Sequence, residues 1–146
     1  MDVIERSKGL TFKDTDDEID RSVSKGIASA HEAYRRVQRG ELFFAQSLLD
    51  SVRYYMILAD DWINNRPPRA VTFSKLEQRG SELIIKAFEN TYVGPDGLRI
   101  DGALMELLFA YRRQVIDLHE KFRLHRSPKS DLYAIDFILA RGHGIA

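Results

Sequence analysis

Three groups of residues in this chain have types and spacings that could do chemistry. Asp60-Asp61-Trp62, followed by Arg66 and Arg69, sets adjacent carboxylates ahead of two guanidiniums, a composition that invites a metal or phosphate reading. Neighbouring side chains on a helix point about 100° apart, so the two acids cannot easily share one ion, and no metal is expected there. Arg112 and His119 form a second group. They lie on nearly one helical face, between Leu108 and Ile116 and inside the apolar arc, where a charge needs a carboxylate or a cavity. One account is an Arg with its stem on the core and a hydrogen-bonded His. The other is a site at the rim of the fold. Asp50, Tyr54 and Asp61 form the third group, within about 40° of one another on a helix, with Ile57 between Asp61 and Arg53. An exposed Tyr and Ile among carboxylates fit a surface that meets another domain or a ligand, or a plain solvated face. The basic run Arg123-Leu124-His125-Arg126 with Lys129 could touch phosphate, but the C-terminus of a helix favours cations anyway.

The commoner catalytic signatures do not occur. There is no HExxH, no Gly-x-Ser-x-Gly, no P-loop and no dinucleotide fingerprint. The chain has no cysteine, which excludes disulfides, thiolate metal sites and Cys nucleophiles and fits a reducing compartment. With 22 basic and 22 acidic side chains the formal charge is zero, so nucleic acid is not the expected partner. The opening Met1-Asp2-Val3-Ile4-Glu5-Arg6 lacks the form of a signal peptide, and no window is apolar for the roughly 18 residues a membrane span needs. A cytoplasmic protein away from membranes is the expectation.

The elements that must position these residues read as helices. Thr15-Asp16-Asp17-Glu18 has a capping-box pattern, and Ile19, Val23, Ile27, Ala30, Tyr34 and Val37 then recur in an arc of about 80° until Gly40. From Glu41 to Asn64 the apolar positions span about 180°, which predicts a central helix with several neighbours, stopped by Pro67-Pro68. A shorter helix is predicted over Ser81 to Tyr92. After the Gly94-Pro95-Asp96-Gly97 turn comes a long one over Asp101 to about Arg126, and a last one over Asp131 to Arg141. No stretch alternates long enough for a strand. The expected fold is an all-α, antiparallel up-and-down bundle of four main helices plus a short C-terminal one. Residues 1–14 and 66–73 are expected to be irregular, residues 15–141 to form one domain, and 142–146 to be a tail.

Tyr54-Tyr55-Met56-Ile57-Leu58-Ala59, continuing through Asn65-Arg66-Pro67-Pro68 and then Phe73-Ser74-Lys75-Leu76-Glu77, resembles the C-terminal helical domain of small-molecule nucleotidyltransferases of the kanamycin and lincosamide kind. The likeness extends loosely over residues 15 to 140. It implies a bundle that packs beside a catalytic nucleotidyltransferase domain and helps to bind the acceptor. The catalytic domain of such enzymes carries a Gly-Ser turn and then a strand with Asp-x-Asp/Glu, whose carboxylates hold magnesium. Here Gly80-Ser81 opens a helix and Asp96 has no second carboxylate at the right spacing. The resemblance therefore implies the substrate-binding half without the catalytic half, with Mg and nucleotide belonging to the partner. Tyr54 would supply a flat apolar wall, Asp61 or Glu77 would hydrogen-bond the acceptor, and Arg66, Lys75 and Arg112 would complete the binding surface.

The bundle is also similar to the HEPN domains, often ribonucleases or toxins, which carry an Arg a few residues ahead of a His on a helix. Arg113 with His119 matches that loosely, although Gln114 is atypical after the Arg. In that reading Arg113 contacts phosphate and His119 transfers a proton during RNA cleavage. A third possibility is a bundle that forms a homodimer through exposed apolar positions such as Ile57.

Overall fold

The computed structural model describes the backbone of residues 3–142 and the side chains of residues 15–142. Six helices follow one another: α1 (Val3–Gln38), α2 (Leu42–Ile63), α3 (Leu76–Arg79), α4 (Glu82–Glu89), α5 (Gly97–Lys121) and α6 (Pro128–Gly142). Among the described residues there is no strand, and no helix is long and apolar enough to cross a membrane. The bundle is all-α, as the periodicity predicts.

α1 ends where Gly40 takes a left-handed φ of 73°, a conformation that glycine adopts without a Cβ penalty. The N–H groups of Gly40 and Glu41 then bond back to Val37 and Arg36, and the chain reverses tightly into α2. α2 packs on α1, α4 and α5, and α5 touches α1, α4 and α6 as well. This encirclement explains the wide apolar arc of α2: Leu49, Val52, Met56, Ile57 and Ala59 are all sealed from water. The facing helices supply Ile19, Val23 and Ala30 from α1 and Leu104, Leu107, Leu108, Val115 and Leu118 from α5. At Gly26 the α1 backbone lies so close to α5 that a Cβ would overlap the hydroxyl of the buried Tyr111.

Several boundaries differ from the sequence reading. α1 is continuous from Val3, so 3–14 is helical backbone rather than irregular, and Thr15 lies inside the helix instead of capping it. Once a helix is nucleated, each added residue gains one hydrogen bond, and no proline interrupts this stretch. Residues 1 and 2, and 143–146 of the expected tail, lie outside the described residues, whereas Gly142 is the last residue of α6. α5 starts at Gly97 because the Asp96 carboxylate accepts from Arg99 N, a cap within the turn itself. It stops at Lys121 because the following loop is tied down: Asp20 on α1 accepts from His125 N at 2.9 Å. α6 begins at Pro128, a favoured first helical residue, with the Ser127 hydroxyl accepting from Ser130 N. The short α3 was not predicted.

Candidate functional site

The double proline leaves Asn65 to Lys75 without helix, and buried ions fix this connection to the end of α2. Asp60 and Asp61 are 3% and 1% exposed. Their carboxylates do converge on a cation, but it is a guanidinium: Arg66 places Nη2 2.6 Å from Asp60 Oδ2 and Nε 3.1 Å from Asp61 Oδ1. Arg79, at the end of α3, donates from Nη1 to the same Asp61 Oδ1 at 2.8 Å and from its other nitrogens to the carbonyls of Ser74 and Thr72. Ser81 N completes the set by donating to Asp60 Oδ2 at 3.1 Å. The fork of an Arg meets two carboxylates at once where an octahedral ion could not. Across the end of α2, Lys121 donates to the carbonyls of Trp62 and Ile63 and to Asn65 Oδ1, closing the helix C-terminus with a cation.

So clamped, the connection forms one wall of an open groove of about 450 Å³, within the usual range for small-ligand sites. Tyr54, Tyr55, Leu58 and Trp62 of α2 line it, with Glu18, Arg21, Ser22 and Lys25 of α1 and Pro68, Arg69, Ala70 and Thr72 of the connection. The two tyrosine rings stand edge to face, centroids 5.0 Å apart. Burial, and secondarily the neighbouring Tyr54, pushes the Tyr55 phenol above its usual range, so it stays a neutral hydrogen-bond donor.

The sequence-predicted residues are not all brought together. Tyr54, 39% exposed, lines the groove. Asp61 is not on a solvated face but buried in the ion cluster with Arg66, where both oppose charges of the protein itself. Ile57 is also buried, which removes it as an exposed dimer contact. Arg53, 2% exposed, donates to the Thr91 carbonyl and hydroxyl and to Asp50, beneath the Tyr92 ring. These departures share a cause: α2 packs on α1, α4 and α5, which narrows its solvated face to positions such as Ser47, Asp50 and Tyr54 and covers Arg53, Ile57 and Asp61. Lys75 adopts a left-handed φ of 54° as the residue ahead of α3, and its side chain is exposed. Glu77 borders a separate small cleft with Phe73, Leu76 and Tyr92.

Arg112 and His119 are each paired with a carboxylate of α6, Arg112 at the half-exposed edge of the bundle and His119 in its interior. Arg112 makes a two-pronged pair with Asp136 of α6, at 2.8 and 3.2 Å, and this raises the pKa of its guanidinium. His119 Nε2 lies 2.8 Å from Asp131 Oδ2, and Arg126 holds the other oxygen of Asp131 at 2.7 Å. Arg113 is exposed and pairs with Asp117 one turn along its own helix. Arg113 and His119 are each engaged by a different acid.

Sequence reasoning passed over Arg21, Ser22 and Lys25, although their spacing with Glu18 places all four on one strip of α1. It also passed over Asp17, Asp20 and His125, which bring one possible ligand atom each within 4.8 Å of one another. Both oxygens of Asp20 already accept backbone N–H groups of the α5–α6 loop, and that trio serves as the tether of the loop to α1. Compared with known proteins, the chain matches no family model and no curated sequence.

Proposed function

We infer that this chain is a non-catalytic helical domain or subunit that holds a small-molecule acceptor for a nucleotidyltransferase catalytic domain. The observation that carries the reading is the aromatic groove between α1, α2 and the connection after Pro68. The stretches that resemble nucleotidyltransferase helical domains contribute Tyr54, Tyr55, Leu58 and Pro68 to its wall, and Arg66 and Arg79 fix the connection behind them. Such a groove has the character of a ligand site, apolar and aromatic walls with a few convergent polar groups.

The chain's part is positioning. Holding an acceptor hydroxyl in line with the α-phosphate of a nucleoside triphosphate turns an encounter of separate molecules into a reaction within one complex. Mg and nucleotide belong to the partner, whose carboxylates bind the metal. The hydroxyl oxygen forms the new P–O bond as pyrophosphate leaves.

The test needs the partner, a protein with the Gly-Ser and Asp-x-Asp signature encoded beside or fused to this chain. Mixing the two should yield a complex that releases pyrophosphate only when acceptor is present, with KM raised in Tyr54→Ala. Failure to form a complex, or transfer at the same rate without this chain, contradicts the reading.

A further inference from the structure

The groove carries an electrostatic signature that narrows its ligand. Arg21 and Lys25 stand one turn apart on α1, and Arg69 reaches the same concavity from the connection. None of the three has a hydrogen bond or ion pair among the described residues. Beside the groove, the buried Asp60 and Asp61 are matched to Arg66 and Arg79. In the groove the balance is reversed, with Glu18 the sole carboxylate among the lining residues against three cations. Like charges at i and i+4 disfavour a helix by a few tenths of a kcal/mol, so Arg21 and Lys25 are not placed for the stability of α1.

A second observation is independent of charge. Ser22 and Trp62, 7% and 8% exposed, also line the groove, and a hydroxyl and an indole N–H can donate to a ligand. Cations, hydroxyls and an indole N–H all donate, so a matching ligand is rich in acceptor atoms. Arginine forks match tetrahedral phosphate oxygens, and the tyrosine and tryptophan surfaces match a planar apolar face.

We propose that the groove takes a small phosphate monoester carried on a planar ring, with Arg21, Lys25 and Arg69 on the phosphate and Tyr54, Tyr55 and Trp62 against the ring. The proposal rests on the reading of this groove as the ligand site and adds the class of ligand. Zero net charge leaves no broad field for a long polyanion, and the groove is of small-molecule size.

Trp62 is the single tryptophan of the chain, so its emission reports on the groove directly. The full chain is titrated with phenyl phosphate, phenylacetate, benzyl alcohol and spermine. Phenyl phosphate should change the emission saturably and bind at least about tenfold more tightly than benzyl alcohol, as charge-assisted hydrogen bonds predict, with phenylacetate between them. Arg69→Gln and the Arg21→Gln/Lys25→Gln pair should each weaken it by about tenfold with an unchanged melting temperature. Glu18→Gln should tighten it, a gain that a folding defect cannot produce. Benzyl alcohol or spermine binding as tightly as phenyl phosphate overturns the phosphate class and leaves the groove as a ligand site. No response of Trp62 to any of these probes overturns the proposal, and the acceptor-dependent transfer assay then decides the groove reading separately.

Discussion

Arg79 Nη1 lies 2.8 Å from Asp61 Oδ1, so the end of α3 is fastened to the last turn of α2 by a pair of which the acid is 1% and the base 10% exposed. Such a pair is weak evidence of net stability, because desolvation opposes the attraction, but removing Arg79 leaves the buried Asp61 charge to Arg66 alone. Arg79→Leu should therefore destabilise the chain by about 3 kcal/mol in chemical denaturation, whereas an exposed cation such as Arg113 should cost less than about 0.5 kcal/mol when changed to Ala. Because Arg79 also holds the carbonyls of Thr72 and Ser74, its loss should loosen the groove wall, visible as faster amide exchange over residues 66–75.

The contact between Gly26 and Tyr111 predicts a second, steric sensitivity. Gly26→Ala places a methyl group against the buried phenol and should cost about 1–3 kcal/mol, although alanine is the better helix former. The residues touch, so combining Gly26→Ala with Tyr111→Leu should cost less than the sum of the two changes. Additivity in that cycle would contradict the packing described.

The same phenol sets an alkaline limit. Burial, reinforced by Asp131, raises the Tyr111 pKa above its ordinary 10.0. Its neutral form is the one the fold favours, so this contribution is fully present below about pH 10 and is lost as the pH climbs above that value. Ultraviolet titration should show the Tyr111 phenol ionising only with unfolding. An unfolding free energy that stays flat well above pH 10 would contradict this.

His119 separates the readings of the α5–α6 end. Its hydrogen bond to Asp131 makes it a structural partner, so His119→Ala should lower stability by about 1 kcal/mol or more by leaving a buried acceptor short of a donor. RNA incubated with the wild-type chain should remain intact. Cleavage that vanishes in both His119→Ala and Arg113→Ala, with helicity retained, would instead favour a ribonuclease.

Much of the fold was legible because its apolar residues recur with helical period: Ile19, Val23, Ala30, Leu104, Leu108 and Val115 were all assigned to the core and are buried. The carboxylate partner of His119 follows from the same periodicity, since a polar group inside an apolar arc has few alternatives, whereas Arg112 is half-exposed beside Asp136. The site was less legible. A helical wheel ranks the faces of α2 but does not tell how many neighbours it has, so Ile57 and Asp61 were grouped with the exposed Asp50 and Tyr54 although they are buried. Besides the local partners Asp50 and Arg66, Arg53 meets Thr91 and Asp61 meets Arg79, and long-range contacts of this kind leave no local spacing to read. Arg21 and Lys25 look like any solvated strip until Arg69 is brought opposite them.

The central claim, that the groove of α1, α2 and the connection is the ligand site, is tested most directly by amide NMR of the chain titrated with phenyl phosphate. The account predicts shifts centred on Ser22, Lys25, Tyr54, Tyr55, Arg69 and the Trp62 indole. Shifts centred on Arg113, His119 and Arg126 instead, or a spectrum unchanged at saturating concentrations, would contradict it.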